Sequence, residues 1–141
     1  MTRPFTSPLH SPLRWTAAVL LLTTAATHVP LVPEHLEEAP YVGVLFIALS
    51  VAALVLAVLV MVRDTPLVWG ATGVMSLLAV VAFLASRTVG LPQIGDDVGN
   101  WTEPLGLPAV AAETLALLAA AVVLYADASR RHTRPRRAVT S

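Results

Sequence analysis

The stretch YVGVLFIALSVAALVLAVLVMV, residues 41–62, decides the fold. It contains no Asp, Glu, Lys or Arg, and Ser50 is its only strongly polar side chain. A hydrocarbon core of roughly 30 Å takes about 20 apolar residues at about 1.5 Å of helical rise each. The stretch therefore predicts a membrane-spanning helix. Three further stretches meet the same criterion: about 15–32, about 67–86 and about 105–126. The first carries Thr16, Thr23, Thr24, Thr27 and His28 but no acid or base. The fourth carries one carboxylate, Glu113.

The 141-residue composition agrees. Hydrophobic residues make up 56% and charged residues 13%, against about 45–50% and about 25% in an average soluble domain. Mean hydropathy is +0.74. These values argue against a disordered chain and a nucleic-acid-binding domain, and the lack of Cys against a disulfide-stapled secreted domain. The bilayer is the expected partner.

The links at 33–40 and 63–66 are short, and a longer loop fills 87–104. Short links between long helices make antiparallel neighbours, so the expected fold is all-α, an up-down four-helix transmembrane bundle. Residues 1–14 lead into it and residues 127–141 form a basic tail.

Orientation follows from arginine placement. Arg3, Arg14, Arg63, Arg130, Arg131, Arg134, Arg136 and Arg137 share one side with only Asp64 and Asp127. Glu34, Glu37, Glu38, Asp96, Asp97 and Glu103 share the other with only Arg87. The expectation is a multi-pass protein of the cell membrane, with both termini cytoplasmic and the acidic loops outside. The basic tail is expected to hold anionic lipid. A rival reading takes residues 1–26 as a signal peptide cleaved after Thr24-Ala25-Ala26, leaving three spans.

Lipid tails are as apolar as leucine, so membrane helices associate through small residues and polar contacts. Gly70, Gly73, Ser76 and Ala79 form one candidate contact face in the third span. Ala109, Ala112, Ala116 and Ala120 form another in the fourth, and Thr16, Thr23 and Thr27 a third in the first. Such faces suit homo- or hetero-oligomers as well as the bundle itself.

Chemistry-bearing residues gather on the outward side. Glu113 lies roughly 8–12 Å along its helix, depending on where that helix starts. A carboxylate in the membrane costs up to about 2.5–3.5 kcal/mol by insertion scales, so it is expected to face the bundle. The expected alternatives are a hydrogen bond to a Thr or carbonyl, or service as a metal ligand, proton carrier or ligand anchor. His28 ends the first span, where Thr24 is placed to accept from its ring and Glu113 is placed to meet it. His35 lies in Pro33-Glu34-His35-Leu36-Glu37-Glu38, a short helix by its proline and acids. Arg87 is the one outward arginine, with Glu103 or Glu113 as expected partners. Pro92 and the glycines of the second outer loop suit a cap over the bundle, and Trp101 an interfacial anchor. Asp96, Asp97 and Asn100 lack calcium-loop spacing.

These residues give one candidate site: His28, His35 and Glu113 as ligands for a divalent transition metal, and Glu113, Arg87 and Glu103 as contacts for another small ligand. The absence of Cys removes thiol chemistry, and one His at membrane depth does not hold a bis-His haem. No phosphate loop or nucleophile elbow occurs, so catalysis is not the expected role. The other readings are an accessory subunit of a larger membrane complex and a small proton-coupled transporter using Glu113.

The run from His28-Val29-Pro30 through Pro33-Glu34-His35-Leu36-Glu37-Glu38-Ala39-Pro40-Tyr41-Val42-Gly43, and that from Gly90-Leu91-Pro92 through Trp101-Thr102-Glu103-Pro104-Leu105-Gly106 with Glu113, resemble uncharacterised small four-span integral membrane proteins of high-GC actinobacteria. The resemblance covers about residues 15–126. It implies the four-span topology and no activity.

Overall fold

The structure is a computed structural model and describes residues 5–133. Arg3, Arg134, Arg136 and Arg137 lie outside the described residues. The described residues form α1 (Leu13–His28), α2 (Val32–Glu38), α3 (Pro40–Val62), α4 (Pro66–Thr88) and α5 (Gly106–Thr133), with no named strand. Four helical stretches are long and apolar enough to cross a membrane: Leu13–Glu38, Pro40–Val62, Pro66–Thr88 and Gly106–Thr133. No more than 39% of any span's most apolar window is buried inside the protein. Leucines and valines such as Val44, Val58, Leu78, Leu84, Leu118 and Val122 point outward. Water does not tolerate four such faces, and lipid does. The protein is a multi-pass membrane protein.

Proline sets most of the boundaries. Pro30 and Pro33 lack the N–H that would continue the α1 ladder. The chain crosses them through a 3₁₀ turn at Val29–Leu31 and resumes as α2. The link expected at 33–40 is thus helical as far as Glu38 and breaks only at Ala39. Ala39 is extended (φ −143°, ψ 83°), as a residue before proline prefers. Thr65 caps α4, its hydroxyl accepting from Val68 N at 3.4 Å, and Pro66 takes the first helical position. The last helix outruns its expected end at 126 and absorbs Arg130 and Arg131 into its final turns.

α1 packs between α3 and α5, and α5 packs on α4; the seam between α3 and α4 is thinner. Ala109, Ala112, Ala116 and Ala120 are all buried, so the expected alanine face of α5 is a helix contact. The expected face of α4 is not a single one. Steps of three turn through 300° each, so Gly70, Gly73, Ser76 and Ala79 spiral around half the helix. A methyl on Gly73 would stand 3.4 Å from Ala120 Cβ, whereas one on Gly70 would meet nothing. Ser76 is fully buried and Ala79 lines a cavity. Of the expected threonine face of α1, Thr16 is exposed, Thr23 half-buried and Thr27 buried, and no threonine hydroxyl bridges to another helix. Thr23, Thr24 and Thr27 bond carbonyls four residues back in their own helix, at 3.0–3.2 Å.

The α3–α4 connection closes the end of the bundle formed by the start of α1. Asp64 adopts φ 41°, a left-handed conformation that Asp and Asn tolerate best among side-chain-bearing residues. Its carboxylate accepts from the buried Trp69 indole at 2.7 Å and from Ser11 N at 2.6 Å, while its carbonyl accepts from Leu9 N at 2.8 Å. Replacing Asp64 by Ala strands two donors, at about 1–3 kcal/mol for a fully buried one. The expected result is a clearly lower thermal unfolding midpoint in detergent, with Asp64→Asn losing less. An unchanged midpoint in Asp64→Ala would remove this knot from the account.

Candidate functional site

The site lies at the opposite end, where α1, α3, α4 and α5 meet the two acidic segments. Along the buried face of α5 from Gly106 to Ala120 the residues are small except at position 113. Glu113 is 2% exposed. Close contact through the neighbouring alanines leaves its side chain one place to go, the gap bordered by α3 and α4. There it lines a cavity of about 440 Å³. Its Oε1 lies 3.7 Å from His28 Nε2, too far for a hydrogen bond, and has no hydrogen-bond partner. Neither a Thr hydroxyl nor a backbone carbonyl meets that oxygen, which sets aside the expected bond to either.

His28 ends α1 and is 8% exposed. Its Nδ1 lies 2.8 Å from the Thr24 carbonyl. A carbonyl only accepts, so Nδ1 carries the proton and donates. Thr24 is thus the acceptor, as expected, through its backbone carbonyl. Nε2 is left to face Glu113 and the cavity.

His35 repeats the arrangement one helix later, with Nδ1 donating to the Leu31 carbonyl at 2.9 Å. α2 reaches α3 at Gly43, where a Cβ would come within 2.6–2.8 Å of Leu36. A side chain at 43 would push α2 away and take His35 with it. Both imidazoles pack on Phe46, at centroid distances of 4.9 Å for His28 and 4.7 Å for His35. The two rings thus converge on apolar carbon rather than on a shared coordination point. Among the described residues no three of His, Asp and Glu gather to hold a metal ion. His28, His35 and Glu113 line one cavity but do not form the expected ligand set.

Arg87, near the end of α4, is buried. It meets Glu103 through Nη2 and Asp97 through Nη1, the latter at 2.7 Å. The Asp97 contact is an ion pair misaligned for a hydrogen bond, and Nε has no partner. The guanidinium also stacks over Phe83 at 5.0 Å. Glu103, one of the two expected partners, is the one it takes; Glu113 is not paired with it. Asp97, read in the sequence as an outward acid without calcium-loop spacing, is a further partner that the sequence did not assign to Arg87.

These contacts hold the second loop down as a cap. Gly99 N donates to the Arg87 carbonyl at 2.9 Å, with Gly90 and Gly99 at φ 78° and 81°. Tyr41 donates to the Pro92 carbonyl at 2.7 Å. Ile94 is buried against Ala39 and Val42. Trp101 is 44% exposed and sits edge-on to Phe83 at 6.4 Å. The exposed residues that border the cavity are Leu45 and Ala48 on α3 and Leu78 and Ala82 on α4. Its mouth therefore lies in the thin seam between these helices, beneath the cap.

Comparison with family models, curated proteins and solved structures finds no match to the chain.

Arg87→Leu removes the buried cation from between two half-buried carboxylates and leaves Asp97 and Glu103 repelling each other. Amide hydrogen exchange across residues 95–103 is expected to accelerate by about tenfold or more, the response to losing about 1.4 kcal/mol of local closing energy. Unchanged exchange would show that the cap does not depend on this cluster.

Proposed function

We propose that this protein binds a small amphipathic molecule from the hydrocarbon phase, in the cavity between α3, α4 and the cap. The carrying observation is a buried carboxyl oxygen without a hydrogen-bond partner, facing an apolar cavity that opens on the side of the bundle. A polar group buried without a partner costs free energy that a bound donor returns. The volume falls within the range of small-molecule sites, about 300–1,000 Å³, and the composition fits one: apolar walls with a few convergent polar groups. Phe46, Leu49, Met75 and Ala79 receive the apolar part of the molecule. Glu113 and His28 receive its polar head. Arg87, already held by two carboxylates, keeps the cap closed above it.

The same reading takes the bundle as up-down, in the cell membrane, with both termini in the cytoplasm. Its support is the excess of arginine on one side of the chain and of carboxylates on the other. Arg130 and Arg131 then lie at the inner leaflet beside anionic headgroups, and the cavity in the outer half of the bilayer. Helix α1 supplies the buried Ala17, Leu21, Thr24 and His28, which supports reading it as part of the working bundle.

The test uses the full chain in phosphatidylcholine nanodiscs and the neutral probe 4-(4-fluorophenyl)butan-1-ol, followed by ¹⁹F NMR. Saturable binding above that of empty nanodiscs is expected, and Ala79→Trp, which fills the cavity, is expected to abolish it. Partitioning indistinguishable from empty nanodiscs, or binding indifferent to Ala79→Trp, would overturn the proposal.

A further inference from the structure

The charges around the cavity select a class of ligand. One guanidinium stands against three carboxyl groups. Asp97 and Glu103 already engage Arg87. Glu113 is thereby left without a cation of fixed charge, and its nearest basic neighbour is His28 Nε2 at 3.7 Å. At that separation the imidazole makes no hydrogen bond to Oε1 and leaves it unpartnered. An anionic ligand would have to compete with two carboxylates for Arg87 and face a third at Glu113. A neutral ligand would satisfy a hydrogen bond but supply no charge. A ligand ammonium supplies both, since each N–H donates and the charge offsets the carboxylate.

Of the aromatic rings that border the cavity, Phe83 already holds the Arg87 guanidinium and Phe46 both imidazoles, so the selection of a cation rests on the Glu113 carboxylate. The remaining walls, among them Leu49, Met75 and Ala79, are apolar and suit a hydrocarbon or aryl body.

Resting on the binding reading above, we propose that the ligand is a cationic amphiphile: a protonated amine on an apolar body, its ammonium against Glu113 and its body along the α3–α4 seam. The positive head is what distinguishes this ligand from other membrane-soluble molecules of the same size.

Three probes on one frame test it: 4-(4-fluorophenyl)butan-1-amine, the matching alcohol and 4-(4-fluorophenyl)butanoate. Near neutral pH they are cationic, neutral and anionic. Binding is measured by ¹⁹F NMR to the full chain in phosphatidylcholine nanodiscs, with empty nanodiscs subtracted. The amine is expected to bind about tenfold or more tighter than the alcohol, and the carboxylate more weakly than either. Glu113→Gln is expected to erase the advantage of the amine over the alcohol, both probes being measured on that variant. Glu113→Asp keeps the preference for the amine. Should Glu113→Gln fail to fold, the order of the three probes on the unaltered chain decides alone. Equal binding of all three, or a preference for the carboxylate, overturns the cationic ligand and leaves the cavity reading standing. Binding of none overturns both.

Discussion

Close approach of helices along the alanine face of α5 is the constraint on which the rest of this structure depends. Apolar side chains gain nothing by leaving lipid for another helix, so association rests on backbones coming near enough to pack. Ala109, Ala112, Ala116 and Ala120 allow that approach to α1 and α4, and a methyl on Gly73 would already touch Ala120 Cβ at 3.4 Å. Such a contact has no room for a carboxylate. Glu113 interrupts the small residues and is directed into the one gap nearby, where α3 does not close fully on α4. The packing and the site therefore have a common origin.

The two ends of the bundle spend their polar groups differently. At one end Asp64 serves three backbone or indole donors, which hold a connection in place. At the other, Arg87 is matched to Asp97 and Glu103, and histidines are tied by Nδ1 to their own helices. Oε1 of Glu113 is left without a hydrogen-bond partner and borders the cavity. Arg87 Nε and the hydroxyls of Ser50, Thr72 and Ser76 also lack partners, but a buried hydroxyl costs less than a carboxyl, and Arg87 is paired through its other nitrogens. The unpaired carboxyl is the physical reason for placing function at the Glu113 end.

Much of this was legible in the sequence, for reasons that differ by residue. The four spans follow from runs such as 41–62, where bilayer thickness leaves little choice. The meeting of His28 with Glu113 follows from helix adjacency and depth, and the pairing of Arg87 with Glu103 from the scarcity of outward cations. The ligand set of His28, His35 and Glu113 did not follow, because the sequence gives no sign that Phe46 occupies the place where two imidazoles converge. Asp97 and Glu103 are both near Arg87 in sequence terms, and only the loop path, set by left-handed Gly90 and Gly99, brings both to it. The three-residue steps from Gly70 to Ala79 suggested one face, but helical geometry carries them around α4, so that Ala79 reaches the cavity. The Asp64 knot was hidden because an aspartate beside Arg63 reads as surface charge.

The central claim is an apolar cavity open to lipid and closed to water, and spin labelling tests it most directly. The chain has no cysteine, so a nitroxide placed at Ala79→Cys in lipid nanodiscs reports that position alone. Collision rates with oxygen, which concentrates in hydrocarbon, and with a water-soluble nickel chelate then distinguish the possible surroundings. The account predicts a mobile label with high oxygen and low nickel accessibility. A label reached freely by the nickel chelate, or one immobilised and shielded from both, would contradict it.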